Sequence, residues 1–115
     1  MNWYLVKLIF SIDRADKTNK AEFDEQLRLV SAGSVADAYL KAKVMGQKLQ
    51  NGFYDESNSR VVWSFVDVAE VILLGDIEDG AEVYSSTYET EEKENFINSV
   101  RRKGMAIQAR SLFLC

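Results

Sequence analysis

The chain contains no histidine and no proline, and its 115 residues include a single cysteine, Cys115. Without histidine there is no Ser-His-Asp or Cys-His catalysis, no imidazole proton transfer and no His-ligated zinc. One cysteine excludes a zinc site built from thiolates and an internal disulfide. The expected setting is therefore a reducing cytoplasm, with Cys115 an inert, frayed end. The absence of proline excludes a native cis-proline. No apolar run approaches the roughly 18 residues of a membrane span. The first residues lack a charged stretch and a small-residue cleavage site, so no signal peptide is expected and no membrane partner is read. Basic residues are also in the minority. Eighteen Asp and Glu stand against fourteen Lys and Arg, for a net charge of −4. That balance argues against nucleic acid as a partner.

A chain of this length can bury a core without staples, and residues 1–115 read as one domain. Its organising stretch is Arg60 to Leu74, rich in β-branched and aromatic residues and free of glycine. It reads as a central strand, because both of its faces are apolar. Val61, Trp63, Phe65, Ala69, Val71 and Leu73 are expected on one side; Val62, Val66, Val68, Ile72 and Leu74 on the other. Asp67 and Glu70 fall on opposite faces, which points to a bulge or bend near Asp67.

Trp3 to Ile12 reads as a first strand with a continuous even row, Tyr4, Val6, Leu8, Phe10 and Ile12. Its odd row, Trp3, Leu5 and Ile9, is broken by Lys7 and Ser11. A polar connection, Asp13 to Ala21 with Asn19, leads to a second strand at Phe23–Ala32. There Phe23, Leu27 and Leu29 are expected inward and Asp24, Gln26 and Arg28 outward. Ser34 is an N-cap, with Asp37 three residues later in a capping-box pattern. Val35, Ala38, Tyr39, Ala42, Met45, Gly46 and Leu49 form one helical stripe, and Asn51-Gly52 stops it. Phe53 to Ser59 reads as a loop, Gly75 to Gly80 as a hairpin connection and Glu82 to Tyr88 as a fourth strand. Thr90 can cap a second helix with Glu91 and Glu92 in its first turn. Arg101, Arg102 and Lys103 complement the dipole at its end, before Gly104. Met105 to Leu114 fits either a short strand or more helix.

The expected fold is α+β: a two-layer β-β-α-β-β-α domain with both helices on one face of a four-stranded antiparallel sheet, and a possible short C-terminal strand. The two doubly apolar strands belong at its centre, so the fourth predicted strand should border Arg60–Leu74.

Several residues in these elements resemble a known family: Trp3-Tyr4, Phe23-Asp24-Glu25 with Leu27 and Leu29, and Ala32-x-Ser34 with Ala38 and Ala42. Trp63-x-Phe65 and Gly80-x-Glu82-Val83-x-Ser85 complete the set. Together they resemble a family of small bacterial proteins, domain of unknown function 4288, over about residues 2–88. The resemblance implies a small α+β protein and no assigned activity or catalytic residue.

No catalytic residue, metal site or cofactor is read from the residues themselves. Asp76-x-Glu78-Asp79-Gly80 fails as a calcium loop, since Gly75 and Ser86 would stand where ligands belong. The same turn fails as a phosphate loop, with Ala81-Glu82 in place of Lys-Ser/Thr. Two function classes remain. The first is a non-catalytic interaction protein, acting as a homodimer or on another protein partner. It would use the sheet face opposite the helices, through Trp3, Leu5, Ile9, Trp63 and Phe65. The alternative is a small-molecule binder or histidine-independent enzyme, with an aromatic-lined cleft using Glu25, Glu82, Tyr84 and Tyr88. Glu70 is a further strand acid. Nothing in the spacing brings these acids within reach of one another.

Overall fold

The computed structural model describes residues 1–15 and 20–114, with backbone alone for 112–114. The 16–19 part of the first connection, including Asn19, and the chain end at Cys115 lie outside the described residues. Contacts group the chain into two compact units, Met1–Ser85 and Ser86–Cys115.

The first unit is a four-stranded antiparallel sheet with one helix. In chain order it holds β1 (Asn2–Arg14), β2 (Glu22–Ala32), α1 (Val35–Lys48), β3 (Asn51–Tyr54) and β4 (Arg60–Leu73), arranged β2-β1-β4-β3. The even row of β1, from Tyr4 to Ile12, is buried and carries the core together with Val30 and Ala32 of β2. α1 lies on this face through Ala38, Ala42 and Gly46. These small residues let the helix axis come close. A Cβ at Gly46 would run into the Phe65 ring, which itself packs at 5.6 Å against Phe10. The Ser34 hydroxyl accepts from the Asp37 N–H at 3.1 Å, satisfying one orphan donor of the first turn.

The neighbour of β4 differs from the sequence expectation. Glu82–Tyr88 forms no strand, and the place beside β4 is taken by β3, four residues made of the expected helix stop Asn51-Gly52 and the start of the expected loop. A turn at Asp55–Ser59 closes the hairpin. The Asp55 carboxylate accepts from the N–H groups of Ser57 and Ser59, both at 2.9 Å, and Asn58 adopts φ +60°. Asparagine tolerates that left-handed backbone. Phe53 stacks on Trp63 at 6.0 Å. The pairing of β3 with β4 ends at Trp63, and beyond it the Gln50 side chain satisfies the Phe65 N–H at 3.0 Å.

Two register shifts against β1, flanking the Leu8–Ile9 pairings, mark bulges in β4. The bend expected near Asp67 is therefore present. Its consequence for sidedness was not expected: Val68 turns to the core, while Val66 and Ala69 are exposed. The second shift restores the parity, so Val71 also packs on the core.

The sidedness of β2 is the reverse of the expectation. Leu29 pairs with Leu5 and Leu27 with Lys7, which puts Phe23, Leu27 and Leu29 on the face opposite α1. Asp24, Gln26 and Arg28 take the helix side. There Asp24 accepts from Trp63 Nε1 at 3.2 Å and from Gln26 Nε2 at 2.6 Å, an acceptor for an indole N–H that would otherwise go unpaired.

The second unit holds one long helix, α2 (Lys93–Leu114). It runs through Gly104, so Met105–Leu114 is helix rather than strand, and Arg101, Arg102 and Lys103 lie mid-helix instead of at its end. Thr90 accepts from the Glu92 N–H at 3.1 Å just ahead of the first turn. The ring of Tyr88 stacks on Phe96 at 5.1 Å.

Candidate functional site

On the face opposite α1, the middle of β1 carries one charge, Lys7. It pairs across the strands with Leu27 of β2 and Glu70 of β4. A lysine in an apolar row is retained only with partners, and Lys7 has three. Its Nζ donates to the Tyr84 hydroxyl at 3.0 Å and lies 3.5 Å from Glu25 Oε1 and 3.6 Å from Glu70 Oε1. The Tyr84 ring centroid is 4.7 Å away, and the lysine side chain is 13% exposed.

The Tyr84 hydrogen bond holds the Lys7 pKa above its ordinary 10.5. Desolvation opposes this, and the Glu25 and Glu70 carboxylates add to it. Lys7 is thus a fixed ammonium at neutral pH. A lysine serving as base or Schiff-base nucleophile needs the opposite shift. What this arrangement does is mechanical: it ties the chain after β4 back onto the sheet. That chain leaves β4 with the Leu74 N–H bonded to the Trp3 carbonyl at 3.0 Å, then turns where Ala81 N–H meets the Glu78 carbonyl at 3.0 Å, with Gly80 at φ +84°. Leu5 and Leu74 are buried. Between β4 and the returning chain lies an open cleft of about 570 Å³. Ile72, Asp76, Glu78, Glu82 and Tyr84 are among its lining residues.

Of the residues expected to line a ligand cleft, Glu25 and Tyr84 meet at Lys7, and Glu82 shares the cleft with Tyr84. Tyr88 belongs to the second unit. Of the residues expected at an interface, Trp3, Leu5 and Ile9 occupy the open face of β1. Trp63 and Phe65 pack on the opposite, α1-bearing side. Leu5 is covered, whereas Trp3 is 47% exposed. Beside it on β2, Leu29 is 49%, Leu27 51% and Phe23 60% exposed. Trp3, Leu29 and Leu27 form one apolar strip along the β1–β2 edge, and Glu25 separates Phe23 from them.

Sequence reasoning missed Lys7, although the signal was present: one cation between Leu5 and Ile9, on a strand otherwise apolar on that face. It also missed a second tie. The Asp67 carboxylate accepts from the Val68 N–H at 2.7 Å and the Tyr39 hydroxyl at 3.0 Å. Those two bonds, in that order, hold its pKa below the ordinary carboxylate value, with Lys43 adding to the effect. This tie anchors α1 to the bulged part of β4. Among the described residues, no group of acids or cysteines could hold a metal ion, and no helix is long and apolar enough to cross a membrane.

The family model of a domain of unknown function (DUF4288) matches residues 3–85, which is nearly the whole of the first unit. No curated protein and no solved structure matches the chain.

Proposed function

Since the chain belongs to the DUF4288 family, whose description assigns no activity, we propose that it is a non-catalytic interaction protein that pairs with a second copy of itself through the face opposite α1. One observation carries this reading: the strip of Trp3, Leu27 and Leu29, three large apolar side chains about half exposed on adjacent strands. Apolar strips of this kind are uncommon on a monomer and mark interaction surfaces. The patch lies toward β2, since Leu5 on β1 is buried. A two-fold axis buries the same strip on both copies. The single cysteine suits work in a reducing, cytoplasmic setting. A small-molecule reading of the Tyr84 cleft is less well supported, because the Tyr84 hydroxyl is already engaged by Lys7 and Glu25 lies outside the cleft lining.

Sedimentation equilibrium at micromolar concentration tests the proposal. Wild-type protein should show dimer mass, and Leu27→Glu should weaken association at least about tenfold, as for a central interface residue. Glu56→Lys, in the turn at the far edge of the sheet, should change nothing. A wild-type chain of monomer mass throughout would sink the proposal.

A further inference from the structure

From the rim of the sheet we infer a second interaction surface: β2 pairs antiparallel with the β2 of another copy of this chain, joining two sheets into one. This inference does not rest on the sheet-face reading, since it concerns the backbone at the rim. β2 ends the strand order, and among the described residues no strand lies beyond it. Sheets commonly blunt such rims with short strands, proline or bulges. The opposite rim is β3, four residues long. β2 has eleven residues, no proline and an unbroken register against β1.

Backbone direction fixes what this rim offers. In an antiparallel strand the N–H and C=O of one residue point to the same side, and successive residues alternate. The Trp3 carbonyl accepts from the Leu74 N–H, and the Ala15 N–H, just past β1, donates to the Arg60 carbonyl. The odd residues of β1 therefore turn to β4. Its even residues bond to β2, through Val30, Arg28, Gln26 and Asp24. That leaves Phe23, Glu25, Leu27, Leu29 and Ser31 with backbone groups aimed outward. Ser31 agrees, for its carbonyl accepts from Lys41 Nζ of α1 at 2.8 Å. Lys41 thus closes one end of the rim. Phe23, Glu25, Leu27 and Leu29 present donors and acceptors to a partner.

This window is centred on Gln26, and so is the two-fold axis that uses all of it. Phe23 then lies opposite the partner's Leu29 and Glu25 opposite the partner's Leu27, each pair exchanging two backbone hydrogen bonds. On the α1 side the same register sets Asp24 opposite the partner's Arg28, on both sides of the axis. This self-complementarity names the occupant as a second copy. The two Glu25 carboxylates meet only on the diagonal, each with its own Lys7 at 3.5 Å. Moving the axis by one residue is worse either way. Centred on Glu25, it sets that acid against its own copy; centred on Leu27, it sets Phe23 against the occupied Ser31 carbonyl. Backbone hydrogen bonds add little net free energy in water, so this pair forms at higher concentration than the sheet-face dimer.

Disulfide trapping of full-length chains tests the pairing. In a Cys115→Ser background, Gln26→Cys places one thiol on the axis. Cα atoms of such a non-hydrogen-bonded pair lie about 4.5 Å apart, within disulfide reach. Arg28→Cys places the thiol roughly 14 Å from its copy, four residues along the strand. Under mild oxidation well above micromolar protein, Gln26→Cys should give several-fold more covalent dimer than Arg28→Cys. Adding Glu25→Pro removes an outward N–H and no bond to β1, and should cut the yield to the Arg28→Cys level. Circular dichroism checks that each variant folds. Adding Trp3→Glu, on the sheet face and away from the rim, should leave the yield intact, so a failed sheet-face dimer and a failed edge pair are read separately. Equal yields from the two thiols, a Gln26→Cys dimer indifferent to Glu25→Pro, or its loss with Trp3→Glu would each overturn the inference.

Discussion

The two faces of the sheet are made from the same strands and are held in different ways. On the α1 side Val6, Leu8, Phe10 and Val61 are fully buried, and the helix comes close enough that glycine is required opposite Phe65. On the other side a charged centre, Lys7 with Glu25, Glu70 and Tyr84, ties down a returning chain, while Trp3, Leu27 and Leu29 remain half exposed beside it. The first face is stabilised by burial and shape, which do not depend on protonation. The second is stabilised by contacts of an ammonium group with acceptors, which depend on protonation and salt. Alternation along β1 produces both at once: even residues serve one face and odd residues the other. The comparison teaches that one set of strands can hold one face by close packing and the other by a charged tie that leaves apolar side chains exposed beside it.

Truncating one leucine on each face is the severest test of that division. Leu8→Ala should cost about 2–5 kcal/mol, the range for a large-to-small change in a packed core. Leu27→Ala should cost well under half of that, since the side chain is 51% exposed. Urea unfolding at protein concentrations low enough for monomer would measure both, and equal losses would break the comparison. A smaller effect is expected on the helix side from adding a single carbon. Gly46→Ala gains about 1 kcal/mol in helix propensity but forces a methyl into the Phe65 ring, and overpacking costs about 1–3 kcal/mol. A net loss of up to about 2 kcal/mol is expected in the same assay. Stabilisation would mean that the ring moves aside freely and that α1 does not sit tightly.

The face with the helix was largely legible in the residues. The even row of β1, the Ser34 cap, the Ala38–Ala42–Gly46 stripe and the span of β4 all follow from periodicity and capping chemistry. Other features turned on pairing. β2 alternates cleanly, but alternation does not say which row faces the helix. Register with β1 decides it, and here sends Leu27 and Leu29 outward. Val68 changes sides because of a shift in register: Asp67 and Glu70 pointed to a bend there, but not to which apolar residues it would turn. β3 is four residues long, too short for a pattern, and it takes the place that the alternating Glu82–Tyr88 stretch suggested for itself. At the candidate site, Glu25, Glu82 and Tyr84 could be picked out as residue types. The meeting of Glu25 and Tyr84 at Lys7 could not, because Glu82–Tyr88 folds back without forming the strand that its alternation suggested, and no periodicity places Tyr84 over β1.

The smallest expected effect belongs to the charged face, and its sign distinguishes it from everything on the other side. The folded-state pKa of Lys7 lies above the unfolded value of 10.5, first because of the Tyr84 hydroxyl and then because of Glu25 and Glu70. The folded protein therefore holds this proton more tightly than the unfolded chain. By linkage, the contribution is fully present below pH 10.5 and is lost as the pH rises through the folded value. Lys7→Met keeps the length of the side chain and removes the titration. Its stability should accordingly fall less than that of the wild type as the pH is raised past 10.5. At neutral pH the variant should be slightly less stable, and the chain after β4 should exchange its amide protons faster than in the wild type. Gly46→Ala serves as the control. Its deficit arises from packing and should be the same at neutral and at alkaline pH. If Lys7→Met loses stability with rising pH as steeply as the wild type, the ammonium is not what holds Tyr84 to the sheet, and the two faces are less different in kind than their geometry indicates.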